Sequence, residues 1–212
     1  MTVSAVVFDL GGVITTSPLV AFGDYERDAG LPVGLIARLN TENAHTNAWA
    51  RFERSELDRD GFVEVFEAEA RAAGHDVDAT RVLAALKGSV RPEVVTAIRH
   101  LGTAGVPLAL LTNNAAPMDP ASEHGALMEL FDVVVESSVE GIRKPEPDIY
   151  PLTLERLSRA VAKEIEPTAV VYLDDLGPNL KPARALGWQT VKVVDPAEAL
   201  AELARLTGVQ LA

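Results

Sequence analysis

Val3-Ser4-Ala5-Val6-Val7-Phe8-Asp9-Leu10-Gly11-Gly12-Val13 sets the pattern that the rest of the chain repeats. A short apolar run rich in β-branched residues reads as a buried strand. The Asp-Leu-Gly-Gly that stops it reads as a tight turn, where glycine lets backbone pass close to a ligand. Residues 106–111, 131–135, 170–173 and 189–194 repeat the pattern of an apolar run closed by polar residues. Helical spacing lies between them. Val94, Val95, Ile98 and Leu101 form one stripe behind Pro92, where a first-turn proline is tolerated. Ile149, Leu152, Leu157 and Val161 form another, entered through Pro147. Residues 178–186 form a short helix closed by Gly187, and Asp195-Pro196-Ala197-Glu198 supplies an N-cap, a first-turn proline and an acid for the last helix. Strands alternating with helices predict an α/β fold with a doubly wound parallel sheet.

The carboxyl ends of such strands converge on one crevice, where ligands bind. Four segments would meet there. Asp9 follows the first strand, Thr112 the second, and Asp174-Asp175 another, while Lys144 sits in the stiff loop Gly-Ile-Arg-Lys-Pro-Glu-Pro. One connection is far too long. Asp9 and Thr112 stand 103 positions apart, whereas a crossover needs only about a dozen residues or somewhat more. The surplus, residues 16–88, reads as several helices and little strand, with Phe62, Val65, Phe66 and Ala70 marking the clearest helix. The expectation is a core of residues 1–15 and 89–212, with residues 16–88 inserted as a helical cap that acts as a lid.

Composition narrows the chemistry. The chain has 212 residues, 48% hydrophobic and 24% charged, as in an ordinary globular protein. With 19 basic and 31 acidic residues the net charge is −12, so no basic patch offers itself to nucleic acid. Cysteine is absent, which removes thiol catalysis, Cys-ligated zinc and disulfides. No apolar run is long enough to span a bilayer, and the first residues lack the basic stretch of a signal peptide. The expectations are a cytoplasmic protein with no membrane and no nucleic-acid partner, as a monomer or homodimer.

Each candidate has an ordinary alternative. A carboxylate in the position of Asp9 is a potential phosphoryl acceptor; it is also a plain turn aspartate. Asp174 and Asp175 are neighbours that repel unless a cation or proton intervenes, and hard oxygen donors without His or Cys favour Mg²⁺. The alternative is a solvated acidic turn. Lys144 would neutralise phosphate and keep Asp9 ionised, or be a surface lysine. Thr112 would donate its hydroxyl to phosphate, or cap a helix. Trp49 and Phe52, one turn apart, read first as packing in the small lid core and second as a substrate wall.

Taken in order, these residues resemble the haloacid dehalogenase-like hydrolases, most of which are phosphatases. Phe8-Asp9-Leu10-Gly11-Gly12-Val13 resembles that family's motif I, Leu111-Thr112-Asn113-Asn114 motif II, Lys144-Pro145 motif III, and Leu173-Asp174-Asp175 motif IV. Val135-Glu136-Ser137-Ser138, Lys144-Pro145-Glu146-Pro147-Asp148-Ile149-Tyr150 and the run from Leu173 to Arg184 are similar to the branch that includes the N-terminal phosphatase-like domain of soluble epoxide hydrolases and related domains linked to acyl-CoA dehydrogenases. The resemblance covers the sheet domain well and the insertion only vaguely. It implies a Rossmann-like core, a Mg²⁺ cofactor and a small phosphorylated metabolite as substrate. It implies Asp9 as nucleophile forming an aspartyl-phosphate, and Thr112 and Lys144 as holders of phosphate oxygens. Asp9, the Gly11 carbonyl and Asp174 would hold the metal, with Asp175 and Asn179 behind them. Asn113, Asn114 and Trp49 would line the substrate side.

The sequence departs from that family at Gly11, where most of its phosphatases carry an aspartate that protonates the leaving group. Glycine keeps the backbone carbonyl and loses the acid. Glu53 and His45 are candidates to supply it from the lid. Two other readings stand beside the phosphatase: a metal-independent 2-haloacid dehalogenase, which the acidic pair disfavours, and a degenerate binding or regulatory module that lost turnover with its acid. No P-loop or Gly-x-Ser-x-Gly elbow is present.

Overall fold

The computed structural model describes residues 3–211. Five strands, β1 (Ala5–Phe8), β2 (Leu108–Thr112), β3 (Val133–Glu136), β4 (Val170–Asp174) and β5 (Gln189–Lys192), form one sheet in the order β3-β2-β1-β4-β5. Every adjacent pair is parallel, with Val7 opposite Ala109 on one side and Tyr172 on the other. This is the doubly wound α/β arrangement expected. Its chain order reverses across β1, and that reversal opens a crevice at the strands' carboxyl ends. The strand ends differ from those of the apolar runs by up to about two residues, the usual place for such boundaries to slip.

The helices are α1 (Pro18–Asp28), α2 (Leu35–Thr41), α3 (Ala48–Glu53), α4 (Arg59–Ala72), α5 (Ala79–Ala84), α6 (Pro92–Thr103), α7 (Glu123–Ala126), α8 (Ser137–Glu140), α9 (Ile149–Ala160), α10 (Gly177–Ala185) and α11 (Pro196–Thr207). Strand alternation sends side chains to both faces. Val6, Phe8, Leu108, Leu110, Val171 and Leu173 pack on α6 and α11; Ala5, Val7, Ala109, Leu111, Val170 and Tyr172 pack on α9 and α10. Each large apolar side chain buried this way contributes about 1.5–3 kcal/mol. Asp195 caps α11 by accepting from the Glu198 N–H at 3.0 Å.

Helices α1–α5 enclose a core of their own, built on Phe22, Trp49, Phe52, Phe62 and Phe66. Phe52 stacks on Phe62 with ring centres 4.5 Å apart, and Trp49 meets Phe62 edge-on at 4.9 Å. Among the described residues between Thr16 and Gly88 there is no strand. The chain enters and leaves this helical unit through two segments that lie side by side. The Thr16 N–H donates to the Ser89 carbonyl at 2.9 Å, and the Arg91 N–H to that of Ile14 at 2.8 Å. Thr15 and Val90 form an antiparallel bridge between them. Gly88 has no room for a side chain, because a Cβ would sit 2.6 Å from the Thr16 carbonyl oxygen. No helix is long and apolar enough to cross a membrane, among the described residues.

Candidate active site

Strand β1 ends on Phe8, Asp9 comes next, and a five-residue turn follows. The Thr15 N–H closes it on the Leu10 carbonyl at 2.9 Å. Gly12 takes φ +76, and a Cβ there would lie 2.0 Å from Asp175 Oδ2, so both conformation and space demand glycine. Gly11 is different. Its φ of −70 and ψ of 128 suit any residue, and a Cβ would meet no atom within 4 Å.

Asp9 is buried. Its Oδ1 accepts the Leu10 N–H at 2.7 Å and pairs with Lys144 Nζ at 2.8 Å. Among the described residues nothing donates to Oδ2. Lys144 is 1% exposed and also meets Asp174 Oδ2 at 2.9 Å. Asp9, Asp174 and Asp175 each offer an oxygen within 4.8 Å of the others. Two of these three carboxylates, Asp9 and Asp174, share one ammonium. Burial pushes the Asp9 carboxyl up to about 8; Lys144 opposes the shift, and Asp174 and Asp175 add to it. Burial works against the Lys144 charge as well, but Asp174 and Asp9 outweigh it and hold that pKa above the usual lysine value. The remaining negative charge is what a divalent cation would neutralise, and an all-oxygen donor set fits Mg²⁺.

Asp174 and Asp175 have different surroundings. Asp174, fully buried, accepts from Lys144, from the Tyr172 hydroxyl, from the Leu176 N–H at 2.8 Å and from Asn179 Nδ2 at 3.0 and 3.1 Å. Its lone pairs are largely spent on protein. Asp175 is half-buried, lies against Gly12 and accepts from the Ser17 hydroxyl at 3.2 Å. It keeps free lone pairs, whereas Asp174 is taken up with holding Lys144. Asn179 braces Asp174 through its two contacts. Burial and Asp174 raise the Asp175 carboxyl, while Ser17 lowers it.

Thr112, at the end of β2, is buried, and its hydroxyl makes one long contact, 3.4 Å to the Asn113 carbonyl. It is free for a ligand. The side chains of Asn113 and Asn114, expected to line the substrate side, are committed to protein. Asn113 Oδ1 accepts the Lys144 N–H at 2.9 Å, and Nδ2 donates to the Lys144 carbonyl at 2.9 Å and to Glu53 at 3.0 Å. Asn114 donates to the Ala116 carbonyl and to Glu136, and accepts from Ser138. These amides shape the loops rather than face a ligand. Trp49 does not form a substrate wall. It is 5% exposed among Phe22, Phe62 and Phe66, because its helix turns that face into the aromatic core.

Of the two lid acids considered, His45 is exposed and contributes only its carbonyl, to Arg54 at 3.0 Å. Glu53 does reach the site, where burial pushes its carboxyl up and Arg143 opposes the shift. Four participants escaped the sequence reading. Tyr172 and Ser17 carried no signal, since one is a residue of a buried strand and the other precedes an ordinary helix. Arg91 donates to the Gly12 and Val13 carbonyls at 2.7 and 3.2 Å and steadies the turn after Asp9. Arg143 adjoins Lys144, and two adjacent cations in an acidic chain were a usable clue.

Several known proteins resemble this chain. The family model described as haloacid dehalogenase-like hydrolase matches residues 3–187. Acyl-CoA dehydrogenase family member 10 of Mus musculus is 35% identical over 98% of this chain and 19% of its own length. Bifunctional epoxide hydrolase 2 of Sus scrofa is 31% identical over 100% of this chain and 40% of its own. The chain thus spans less than half of either relative. Sesquiterpene phosphatase astK of Aspergillus oryzae is 26% identical over 98% of both chains. Among solved structures, a HAD-like family hydrolase from Porphyromonas gingivalis superposes with a TM-score of 0.65 at 22% identity, over 97% of this chain and 99% of its own.

Proposed function

This chain belongs to the haloacid dehalogenase-like hydrolases, and on that premise we propose that it hydrolyses phosphoric monoesters of small metabolites, with Asp9 as nucleophile and Mg²⁺ as cofactor. One observation carries the reading: a buried carboxylate with one uncommitted oxygen, paired with Lys144, beside Asp174, which shares that ammonium, and Asp175, which has no ion pair among the described residues. The full-length relative named as a phosphatase supports it.

In this mechanism Asp9 Oδ2 attacks phosphorus and the P–O bond to the ester oxygen breaks, leaving an aspartyl-phosphate. Water then attacks the phosphorus, the acyl-phosphate P–O bond breaks, and inorganic phosphate leaves with Asp9 restored. Lys144 and Thr112 hold phosphoryl oxygens through both steps. Mg²⁺, held by Asp9, the Gly11 carbonyl and Asp175, would supply charge neutralisation at the phosphoryl group. Tyr172, Asn179 and the Leu176 N–H fix Asp174 in place, and Asp174 in turn orients Lys144. Helices α1–α5 act as a cap that excludes water from the reacting centre.

Gly11 sets the substrate class. With no carboxyl at that position, the leaving oxygen departs as its own anion. Aryl and acyl phosphates, and phosphates at a sugar's anomeric carbon, tolerate this; simple alkyl phosphates do not. A phosphate-release screen across sugar, lipid, acyl and nucleotide phosphates, with and without Mg²⁺, tests the reading. Asp9→Asn and EDTA should each abolish release, and full activity in either case refutes the mechanism. Chloride release from 2-haloacids without Mg²⁺ would move the assignment to dehalogenation.

A further inference from the structure

Two ion pairs join the α1–α5 unit to the loop that carries Lys144, and they run in opposite senses. Glu53, the last residue of α3, meets Arg143 Nε at 2.5 Å; its neighbour Arg54 meets Glu146 at 2.9 Å. All four side chains lie between 12% and 21% exposed. Arg143 also donates to the Ala44 carbonyl at 2.9 Å, and the Ser55 hydroxyl to that of Ser138 at 2.8 Å.

The two pairs are not equivalent. The other side-chain bonds of Arg54 go to Glu56 and the His45 carbonyl, away from Asp9. Glu53 Oε2 is shared between Arg143 and Asn113 Nδ2. Asn113 is the residue whose amide grips both backbone groups of Lys144. A path of three links therefore runs from the helical unit to the nucleophile: Glu53 to Asn113, Asn113 to the backbone of residue 144, and Lys144 Nζ to Asp9. An ammonium on a flexible four-carbon stem is located chiefly by where its backbone sits.

We propose that Glu53 is a positioning residue for Lys144, bringing closure of the α1–α5 unit to bear, through Asn113, on the ammonium that faces Asp9. With Glu53 in place both Asn113 amide hydrogens are bonded and the amide cannot turn. Arg143, one residue before Lys144, is held at the same carboxylate. Withdrawing Glu53 leaves one Asn113 amide hydrogen unbonded and the Arg143 guanidinium with the Ala44 carbonyl as its remaining partner, so the backbone of residue 144 is held less firmly. The proposal rests on the phosphatase reading.

The experiment compares kcat and KM for p-nitrophenyl phosphate with Mg²⁺, and calorimetric binding of orthovanadate, in the wild type, Glu53→Ala, Glu53→Gln and Arg54→Ala. Glu53→Ala should lower kcat about 10²-fold, the scale of a roughly 1 Å misplacement, and weaken vanadate binding. Glu53→Gln retains an acceptor for Asn113 and should restore most of kcat. Arg54→Ala breaks its own pair and should leave kcat nearly unchanged. Equal losses in Glu53→Ala and Arg54→Ala, or no rescue by Gln, would mean that the pairs only fasten two parts together, and would overturn the proposal. If Glu53→Ala does not fold, Glu53→Met fills the space without an acceptor and takes its place. A wild type that neither hydrolyses p-nitrophenyl phosphate nor binds vanadate would instead remove the phosphatase reading.

Discussion

Installing an aspartate at position 11 is the sharpest perturbation of the proposed chemistry. Gly11 has φ −70 and ψ 128, and no atom stands within 4 Å of its would-be Cβ. Gly11→Asp therefore needs no backbone movement. Replacing a glycine in a conformation open to other residues restricts the unfolded chain and contributes about 0.4–1 kcal/mol. Against this, a fourth carboxylate joins Asp9, Asp174 and Asp175 and repels them. The two effects oppose each other, and Tm should move by no more than about 2–4 °C for each kcal/mol left over in a chain of this size. Catalysis should change far more. General acid catalysis is typically worth about 10²–10⁴-fold, or roughly 2.7–5.5 kcal/mol of barrier. That gain is available only to leaving groups that need a proton. The assay is kcat/KM for the wild type, Gly11→Asp and Gly11→Ala across substituted phenyl and alkyl phosphates. The wild type should give a steep negative slope of log kcat/KM against leaving-group pKa. Gly11→Asp should flatten it, gaining about 10²-fold or more on alkyl phosphates and little on nitrophenyl phosphate; Gly11→Ala should keep the slope. A flat wild-type slope would refute the reasoning, because a proton donor would then already be in place. So would a folded Gly11→Asp enzyme whose slope matches the wild type.

Gly12→Ala should fail where Gly11→Ala succeeds: a left-handed residue whose Cβ overlaps Asp175 Oδ2 should lower Tm and displace Asp175, seen as a weaker apparent Mg²⁺ affinity in activity titrations. Trp49→Ala should cost about 3–5 kcal/mol of stability in denaturant melts. Trp49→Phe should be far milder and leave KM near the wild-type value; a large rise in KM with stability unchanged would return Trp49 to the substrate side.

The strands were readable because an apolar run closed by Asp-Leu-Gly-Gly, Thr-Asn-Asn or Asp-Asp announces both a buried strand and its functional end. The oversized gap between Asp9 and Thr112 announced the helical insertion. Side-chain roles were less accessible where they depend on who else is present. Asn113 and Asn114 look like ligand-facing amides until Lys144, Glu53, Glu136 and Ser138 arrive from distant segments and use up their bonding capacity. Asp174 and Asp175 are interchangeable in a sequence; only strand parity, which turns Asp174 inward onto Tyr172 and Asn179, separates them. Glu69 accepts the Ala48 N–H at 2.9 Å, and Glu67 meets that of Ala79 at 3.3 Å, partners that nothing in the sequence around α4 announces. Both serve helix starts that are remote in the chain.

The bridge between Thr15 and Val90 bears on how the molecule is assembled. To pair with β2, β1 must find a strand about a hundred residues away, and contacts of that sequence separation slow folding. The entropy of closing a loop grows only slowly with its length, by about 0.6 kcal/mol per doubling, and the helices of the insertion form contacts mostly among themselves. Once they have collapsed on their aromatic centre, their two ends lie side by side, and the link from β1 to α6 is effectively as short as in any strand-helix-strand unit. The topology thus favours a folding order in which the insertion forms first and hands a shortened chain to the sheet. For the same reason any other module whose ends meet at this spacing would serve the sheet equally well, so selection on substrate can reshape what lies between residues 16 and 88 without renegotiating the fold beneath.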